Sequence, residues 1–366
     1  MKHLTIKTTT SQYPIIIGQN VLKNLKPSIK KYIPNAKKVL IIFDNKIPSF
    51  YKKKIILNSQ HLKTHHLSLK VSENIKSFKF ANQLAEKCLE LNLNRNDLLI
   101  AVGGGVIGDL CAFVASIVKR GINFVNLPST ILSQVDSSIG GKTGVNSHKG
   151  KNMIGSFYEP KFVLSEVNLL KSLPKREIIC GYAEIIKHAI IKDKKFFSWL
   201  KIYSKSILSL NNDRILIEAI YKSCKIKKYF VEKDFKENNL RMTLNFGHTF
   251  AHGIETMNNY KKINHGEAVL AGMMLALKLS KYKKICDSNS YLQIDNIYKE
   301  NKLNYPYLKF IKPNNIKKLV KFMMKDKKNF NQKINLILLK KIGLTTKPDT
   351  QSLEPAKLLK YLQKII

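Results

Sequence analysis

The chain has 366 residues, 44% hydrophobic and 9% aromatic, which suffices for two domains with apolar cores. The first residues lack the apolar stretch and small-residue cleavage site of a secretory leader, and the longest apolar segment, 268–279, is shorter than the about 18 residues of a membrane span. The formal charge is +39, yet only Arg95, Arg120, Arg176, Arg214 and Arg241 among the 64 basic residues are arginine; nucleic-acid readers lean on arginine forks, so lysine-biased solvated faces explain the charge better than a nucleic-acid surface.

In chain order, the run 38–45 (KVLIIFDN) predicts a buried strand and 80–91 a helix. Residues 97–103 predict a second buried strand that runs into glycines, followed by a helix over 108–120. Strands are predicted at 124–130 and 161–167. Alternating strand and helix implies a parallel sheet with helices on both faces. After 173–177 (LPKRE) strand-like runs nearly vanish, and helical periodicity covers 178–191, 214–232, 249–257 and 267–282. The expected organisation is an α/β domain over 1–174 and a mainly helical domain over 175–366. Cys88, Cys111, Cys180, Cys224 and Cys286 are scattered with no CxxC pair, which predicts reduced thiols in a cytoplasmic protein and argues against a disulfide frame or a thiolate zinc site.

Gly103-x-Gly105-x-x-Gly108 follows a strand and opens a helix, the setting in which backbone approaches a pyrophosphate. The acid about 20 residues later in ordinary dinucleotide folds is missing, because Phe124-Val125-Asn126 lies there. Asp44, just past an earlier strand, is the candidate for the ribose. Residues 139–146 (IGGKTGVN) suggest a P-loop, but the position that must be glycine is Asp136. They read instead as a glycine-rich loop with Asp136, Lys142 and Lys151 nearby, suited to an anionic, hydroxylated ligand.

His248, His252 and His265 lie within 18 residues. His248 and His252 share a helix face, a spacing able to hold a metal, but Thr249 stands where a zinc protease carries its glutamate base. A divalent cation between imidazoles also calls for a carboxylate. Glu184, three residues before Lys187 on an apolar helix, is the best candidate; the alternative is an ordinary surface ion pair between them.

Together these motifs resemble the 3-dehydroquinate synthase family over essentially the whole chain: YPIIIG, GGGVIGDLCAFVAS, PSTILSQVDSSIGGKTGVN, GKNMIGSFYEP, LKSLPKREI, GYAEIIKHAII, LNFGHTFAHGIE, HGEAV and the late KDKK of 325–328. The resemblance implies an NAD-binding α/β domain, a helical C-terminal domain, an active site in the cleft between them, a divalent metal (zinc or cobalt) and a homodimer, with neither nucleic acid nor membrane as partner. The implied reaction converts 3-deoxy-D-arabino-heptulosonate 7-phosphate to 3-dehydroquinate and phosphate. Carried over by motif, the metal ligands are Glu184, His248 and His265, with His252 facing substrate, a choice that spacing alone leaves open.

The NAD contacts implied in the same way begin with Val71, Ser72, Glu73, Asn74, Ile75 and Lys76. Here the family's leading Asp-Gly has become Val71-Ser72. The glycine turn contributes Gly105, Val106, Ile107, Gly108 and Asp109. Further contacts come from Ser129, Thr130, Lys142 and Lys151, then from Leu169, Leu170, Lys171 and Ser172. Glu166 stands where an Asp is usual, and Ser147 where many members carry His. Around the substrate the resemblance places the cations Arg120, Lys142, Lys187, Lys227, Arg241 and Lys328, with Asp136, Asn152, Glu237, Asn245 and His252 as hydrogen-bonding groups. The rival readings are a metal-dependent NAD polyol or glycerol dehydrogenase and a related sugar phosphate cyclase.

Overall fold

The structure is a computed structural model that describes residues 1–259, 262–324 and 333–366. It divides into two compact units, one of Met1–Pro174 with Asn212–Lys236, the other of Lys175–Asn211 with Glu237–Ile366.

The first unit opens with β1 (Lys2–Lys7) and β2 (Gln12–Gly18), then α1 (Leu25–Tyr32), β3 (Lys38–Asp44), α2 (Ser49–Ser59), β4 (Lys63–Leu69) and α3 (Phe78–Glu90). There follow β5 (Leu98–Gly103), α4 (Gly105–Ile117), β6 (Asn123–Pro128), β7 (Lys142–Ser147), β8 (Gly150–Phe157) and β9 (Val163–Glu166). Seven strands form one sheet in the order β1-β2-β9-β6-β5-β3-β4, antiparallel only between β1 and β2. Both faces are buried, as the apolar runs of β3 and β5 require. Val39, Ile41 and Phe43, with Leu98, Ile100 and Val102, pack against Leu25, Ile29 and Ile55 of α1 and α2. Their alternates Leu40, Ile42, Leu99 and Ala101 pack against Leu84, Cys88, Leu110 and Val114 of α3 and α4.

Two expectations change here. The glycine-rich stretch of 139–146 is mostly strand: β7 pairs with β8 as an antiparallel hairpin, Gly144 opposite Gly155. A Cβ on Gly155 would stand 2.1 Å from the Thr143 carbonyl oxygen, so these glycines serve strand approach and not loop freedom. The helix after the glycine turn starts at Gly105, three residues earlier than its apolar stripe indicates, because Gly105 and Gly108 lie inside α4.

The second unit contains α5 (Lys175–Lys192) and α6 (Lys194–Ser209); the chain then returns to the first unit for α7 (Asp213–Lys233). The expected helical domain over 175–366 is therefore not one contiguous piece. α7 buries Leu216, Ile220, Cys224 and Phe230, and it is held there by Lys2 on Glu218 (3.0 Å) and by Glu232 accepting from the Lys7 amide (2.6 Å). The second unit resumes with α8 (His248–Met257) and α9 (His265–Tyr282), followed by further short helices and strand pairs. No described helix is long and apolar enough to cross a membrane.

Close helix approach in the second unit depends on glycine. A Cβ on Gly266 would sit 2.2 Å from Cys180 Cα, and one on Gly272 2.2 Å from the Gly247 oxygen, so α9 lies almost backbone to backbone on α5 and on the start of α8. Gly247 itself has φ of 79°, a left-handed conformation that suits glycine and turns the chain into α8.

Candidate active site

In the first unit the candidate groups collect at the C-terminal ends of adjacent parallel strands, where open α/β sheets bind ligands. Phe43 pairs with Val102 and Gly103 with Pro128, so Asp44, the glycine turn and Ser129-Thr130 end β3, β5 and β6 side by side. The Ser129 amide donates to the Gly103 carbonyl at 2.9 Å. A Cβ on Gly104 would meet Thr130 at 3.2 Å and one on Gly105 would meet Ser137 at 3.2 Å, so the turn presents bare backbone beside the N-terminus of α4. That surface, with the first-turn amides of α4 lacking helical acceptors, fits a pyrophosphate.

The segment 71–76 joins this edge through β7. Asn146 donates its side-chain amide to Glu73 (2.7 Å) and its backbone N–H to the Lys76 carbonyl (2.8 Å). Lys76 forms an ion pair with Asp109 of α4. Burial lifts the Asp109 carboxyl above the ordinary carboxylate range, with Lys76 pulling the other way. Asn152, at φ 55°, donates its amide to Asn146 Oδ1 at 2.9 Å, while Lys142 and Lys151 lie on β7 and β8. Asp136 lies in a single π-helical turn, Ser133–Ser137, and pairs with Lys227 of α7.

Several candidate side chains turn inward. Ile75, Ile107, Leu169 and Leu170 are buried in the core, which leaves only their backbones for a ligand. Glu166, also buried, accepts from the Asn20 amide (3.0 Å) and the Asn168 amide (3.3 Å), so it caps the turn that carries Leu169–Ser172. Asp44 accepts from the Lys46 amide at 3.0 Å. Arg120 is not brought to this edge. It follows the far end of α4, whose 13 residues run about 20 Å away from the glycine turn, and it stands exposed before β6 with φ of 63°.

In the second unit α5, α8 and α9 bring Glu184, His248 and His265 together, with donor atoms all within 4.8 Å of one another. His248 Nε2 lies 3.6 Å from Glu184 Oε1, and the His248 and His265 rings are 5.5 Å apart. Glu184 is fully buried; its Oε2 pairs with the Lys187 ammonium, while its Oε1 makes no hydrogen bond and lies on the His248 side. A buried carboxylate with one oxygen left without a hydrogen bond, facing two imidazoles, suits a divalent cation of the zinc or cobalt kind. His252 stands 5.9 Å ring to ring from His248 and belongs to no such group among the described residues. Arg241 is buried on the short turn Leu240–Asn245 that precedes α8, and Asn245 donates to Glu237 at 2.8 Å. Lys328 lies outside the described residues.

Contacts that the sequence did not single out hold these side chains. His248 Nδ1 lies 3.3 Å from the Phe246 carbonyl, and His265 Nδ1 3.5 Å from Oε1 of the buried Glu255. Burial works against protonation of His265, but Glu255 and then Glu184 outweigh it and raise this imidazole above its ordinary value. Arg176 clasps Glu267 with two hydrogen bonds, 2.8 and 2.6 Å, while Glu267 accepts from the Asn264 amide at 3.0 Å, pinning the start of α9 to α5. Glu255 follows His248 by seven residues, a same-face helical spacing that was available in the sequence; the Arg176–Glu267 clasp joins distant segments and had no local signal.

Residues 66–180 match the N-terminal and 181–329 the C-terminal family model of 3-dehydroquinate synthase. The chain is 45% identical to a 3-dehydroquinate synthase of Pelagibacter ubique over 93% of its own length and 92% of that protein. It is 40% identical to another from Alkaliphilus metalliredigens, covering 92% of each. Among solved structures, 2-deoxy-scyllo-inosose synthase complexed with carbaglucose-6-phosphate, NAD+ and Co2+ superposes over all of both chains with a TM-score of 0.86 at 22% identity. The 2-epi-5-epi-valiolone synthase of Streptomyces hygroscopicus, with NAD+ and Zn2+ bound, gives 0.84 at 21% over 96% of each chain. These two show the same fold. On its sequence and its relatives, the chain belongs to the 3-dehydroquinate synthase family.

Proposed function

We propose that this chain is a working 3-dehydroquinate synthase, a phosphate-eliminating lyase that converts 3-deoxy-D-arabino-heptulosonate 7-phosphate to 3-dehydroquinate and phosphate. The observation that carries the reading is the convergence of Glu184, His248 and His265, in a member of this family. The sequence of steps is transient oxidation at C5, loss of phosphate, re-reduction at C5, ring opening and intramolecular aldol closure. When bound, NAD supplies a reversible hydride acceptor, and a divalent cation held by Glu184, His248 and His265 supplies Lewis-acid polarisation of the substrate oxygens.

The chain's own groups do the remaining work. The glycine turn and the α4 N-terminus bind pyrophosphate, with segment 71–76, Ser129-Thr130, Lys151 and the turn of Leu169–Ser172 around the rest of the dinucleotide. Lys187, Lys227 and Arg241, all buried, hold the substrate carboxylate and phosphate as fixed cations where charge shifts during elimination. Lys142, and Lys328 by its motif, extend that set. Asp136, Asn152, Glu237, Asn245 and His252 orient hydroxyls. The departing phosphate can take the proton lost in elimination, so no protein base is assigned to that step. A homodimer in the cytoplasm belongs to the same reading.

The test supplies the heptulosonate phosphate with catalytic NAD and Co2+, then follows phosphate, the carbocyclic product and absorbance of reduced cofactor. Phosphate and product in equal amounts without net reduced cofactor is the expected result. Reduced cofactor accumulating one for one with substrate consumed, without phosphate, would make the chain a dehydrogenase instead.

A further inference from the structure

The two imidazoles of the cation site are anchored by different means. His248 follows Phe246 closely enough for the main-chain carbonyl to lie 3.3 Å from its Nδ1, so no side-chain replacement removes that acceptor. His265 begins α9, and there a side chain stands at the ring: Glu255 Oε1 lies 3.5 Å from its Nδ1. Glu255 is 4% exposed, and it falls seven residues after His248, so both project from one side of α8. Its carboxylate is beside His265 Nδ1 but is absent from the group of donor atoms that lie within 4.8 Å of one another, so it touches this imidazole without joining the set.

We propose that Glu255 is the positioning residue of His265: it receives the Nδ1 proton, fixes the ring's tautomer and rotation, and leaves the Nε2 lone pair to the cation. This rests on the reading that Glu184, His248 and His265 hold a divalent ion. One helix thus delivers a ligand, His248, and the acceptor that aims another, His265. Imidazole ligands are commonly held by a carboxylate or carbonyl on the second nitrogen, and loss of that partner weakens metal binding by about 10–100-fold. The division of labour here predicts an asymmetry: the His265 arm is sensitive to a side-chain substitution, while the His248 arm is not.

The test measures Co2+ affinity of the full-length chain by chelator competition for wild type, Glu255→Ala, Glu255→Met, Glu255→Gln and His265→Ala. Each metal-free variant is first melted to establish that it folds. Glu255→Ala is expected to bind Co2+ about 10–100-fold more weakly, with an altered visible absorption of the bound ion. Glu255→Met fills the pocket with only a weak thioether acceptor in place of the carboxylate and decides the matter if the alanine variant does not fold. Glu255→Gln keeps an acceptor oxygen and should return affinity most of the way to wild type. Wild-type affinity in the alanine or methionine variant, alongside a loss in His265→Ala, overturns this inference and leaves the cation site standing. Glutamine no better than methionine overturns the acceptor role. Unchanged affinity in His265→Ala removes the cation-site reading itself, and this inference with it.

Discussion

Lys187 sets its ammonium against the Glu184 carboxylate inside the second unit, with 2% and 0% of the two side chains exposed. Three residues apart on α5, they form a buried pair, so the surface ion pair allowed by the sequence is ruled out. Removing one partner of such a pair strands the other charge at a cost of about 3–5 kcal/mol. Lys187→Met should therefore destabilise the metal-free chain by several kcal/mol in urea unfolding. A cation beside Glu184 takes over part of that compensation, so the penalty should shrink when Co2+ is saturating. At about 100 times its dissociation constant, the ion should also stabilise wild type by about 2.7 kcal/mol. An equal penalty with and without Co2+ would show that the ion does not sit at Glu184.

Gly266→Ala and Gly272→Ala test the helix contacts that bring Glu184, His248 and His265 together. By helix propensity alone, alanine inside α9 would stabilise by about 1 kcal/mol. The added Cβ atoms would meet Cys180 Cα and the Gly247 oxygen, each at 2.2 Å, and backbone cannot yield as a side-chain tip does. Each variant should lose about 1–3 kcal/mol or more, the usual range for overpacking, and bind Co2+ more weakly because His265 or His248 shifts with its helix. A gain in stability for either variant would mean that the helices are farther apart than described.

Much of this was legible in the sequence, for physical reasons that differ by element. β3 and β5 are buried on both faces and read as continuous apolar runs, and α5, α7, α8 and α9 carry helical periodicity. β7 and β8 were not legible as strands, since Gly144 and Gly155 mark close approach that resembles loop composition. The return of α7 to the first unit was hidden because its apolar stripe says only that it packs, not on what. Among site residues, the choice of His265 over His252 came from family resemblance, because the i,i+4 spacing favours His252 and only tertiary packing brings His265 of α9 beside Glu184 of α5. Arg120 was carried to the substrate by the same resemblance, yet within the first unit it stands at the far end of α4 from the glycine turn.

The thiols give a test of the core that is independent of the site. All five cysteines are free and buried. Burial pushes the thiols of Cys88, Cys180 and Cys224 up to about 12 and that of Cys286 to about 11. An exposed thiol titrates near 8.5, so raising the pH from 7 to 9 would speed its alkylation by roughly 20-fold. Native protein should show almost no labelling at either pH 7 or pH 9, and five labels per chain after denaturation. Rapid labelling of Cys180 in particular would contradict its packing against Gly266.

Arg176 of α5 and Glu267 of α9 join the two helices. The guanidinium is about half exposed, so its direct contribution to stability is screened and should stay below about 1 kcal/mol. Its value lies in geometry: two parallel hydrogen bonds hold Glu267, which also accepts from the Asn264 amide one residue before His265. A lysine matches the charge but not the fork. Arg176→Lys should leave the urea midpoint nearly unchanged, raise hydrogen exchange over the first turn of α9, and weaken Co2+ binding as much as Arg176→Ala does. If lysine restores slow exchange and full affinity, charge alone holds α9 in place, and the retention of an arginine in so lysine-rich a chain needs another explanation.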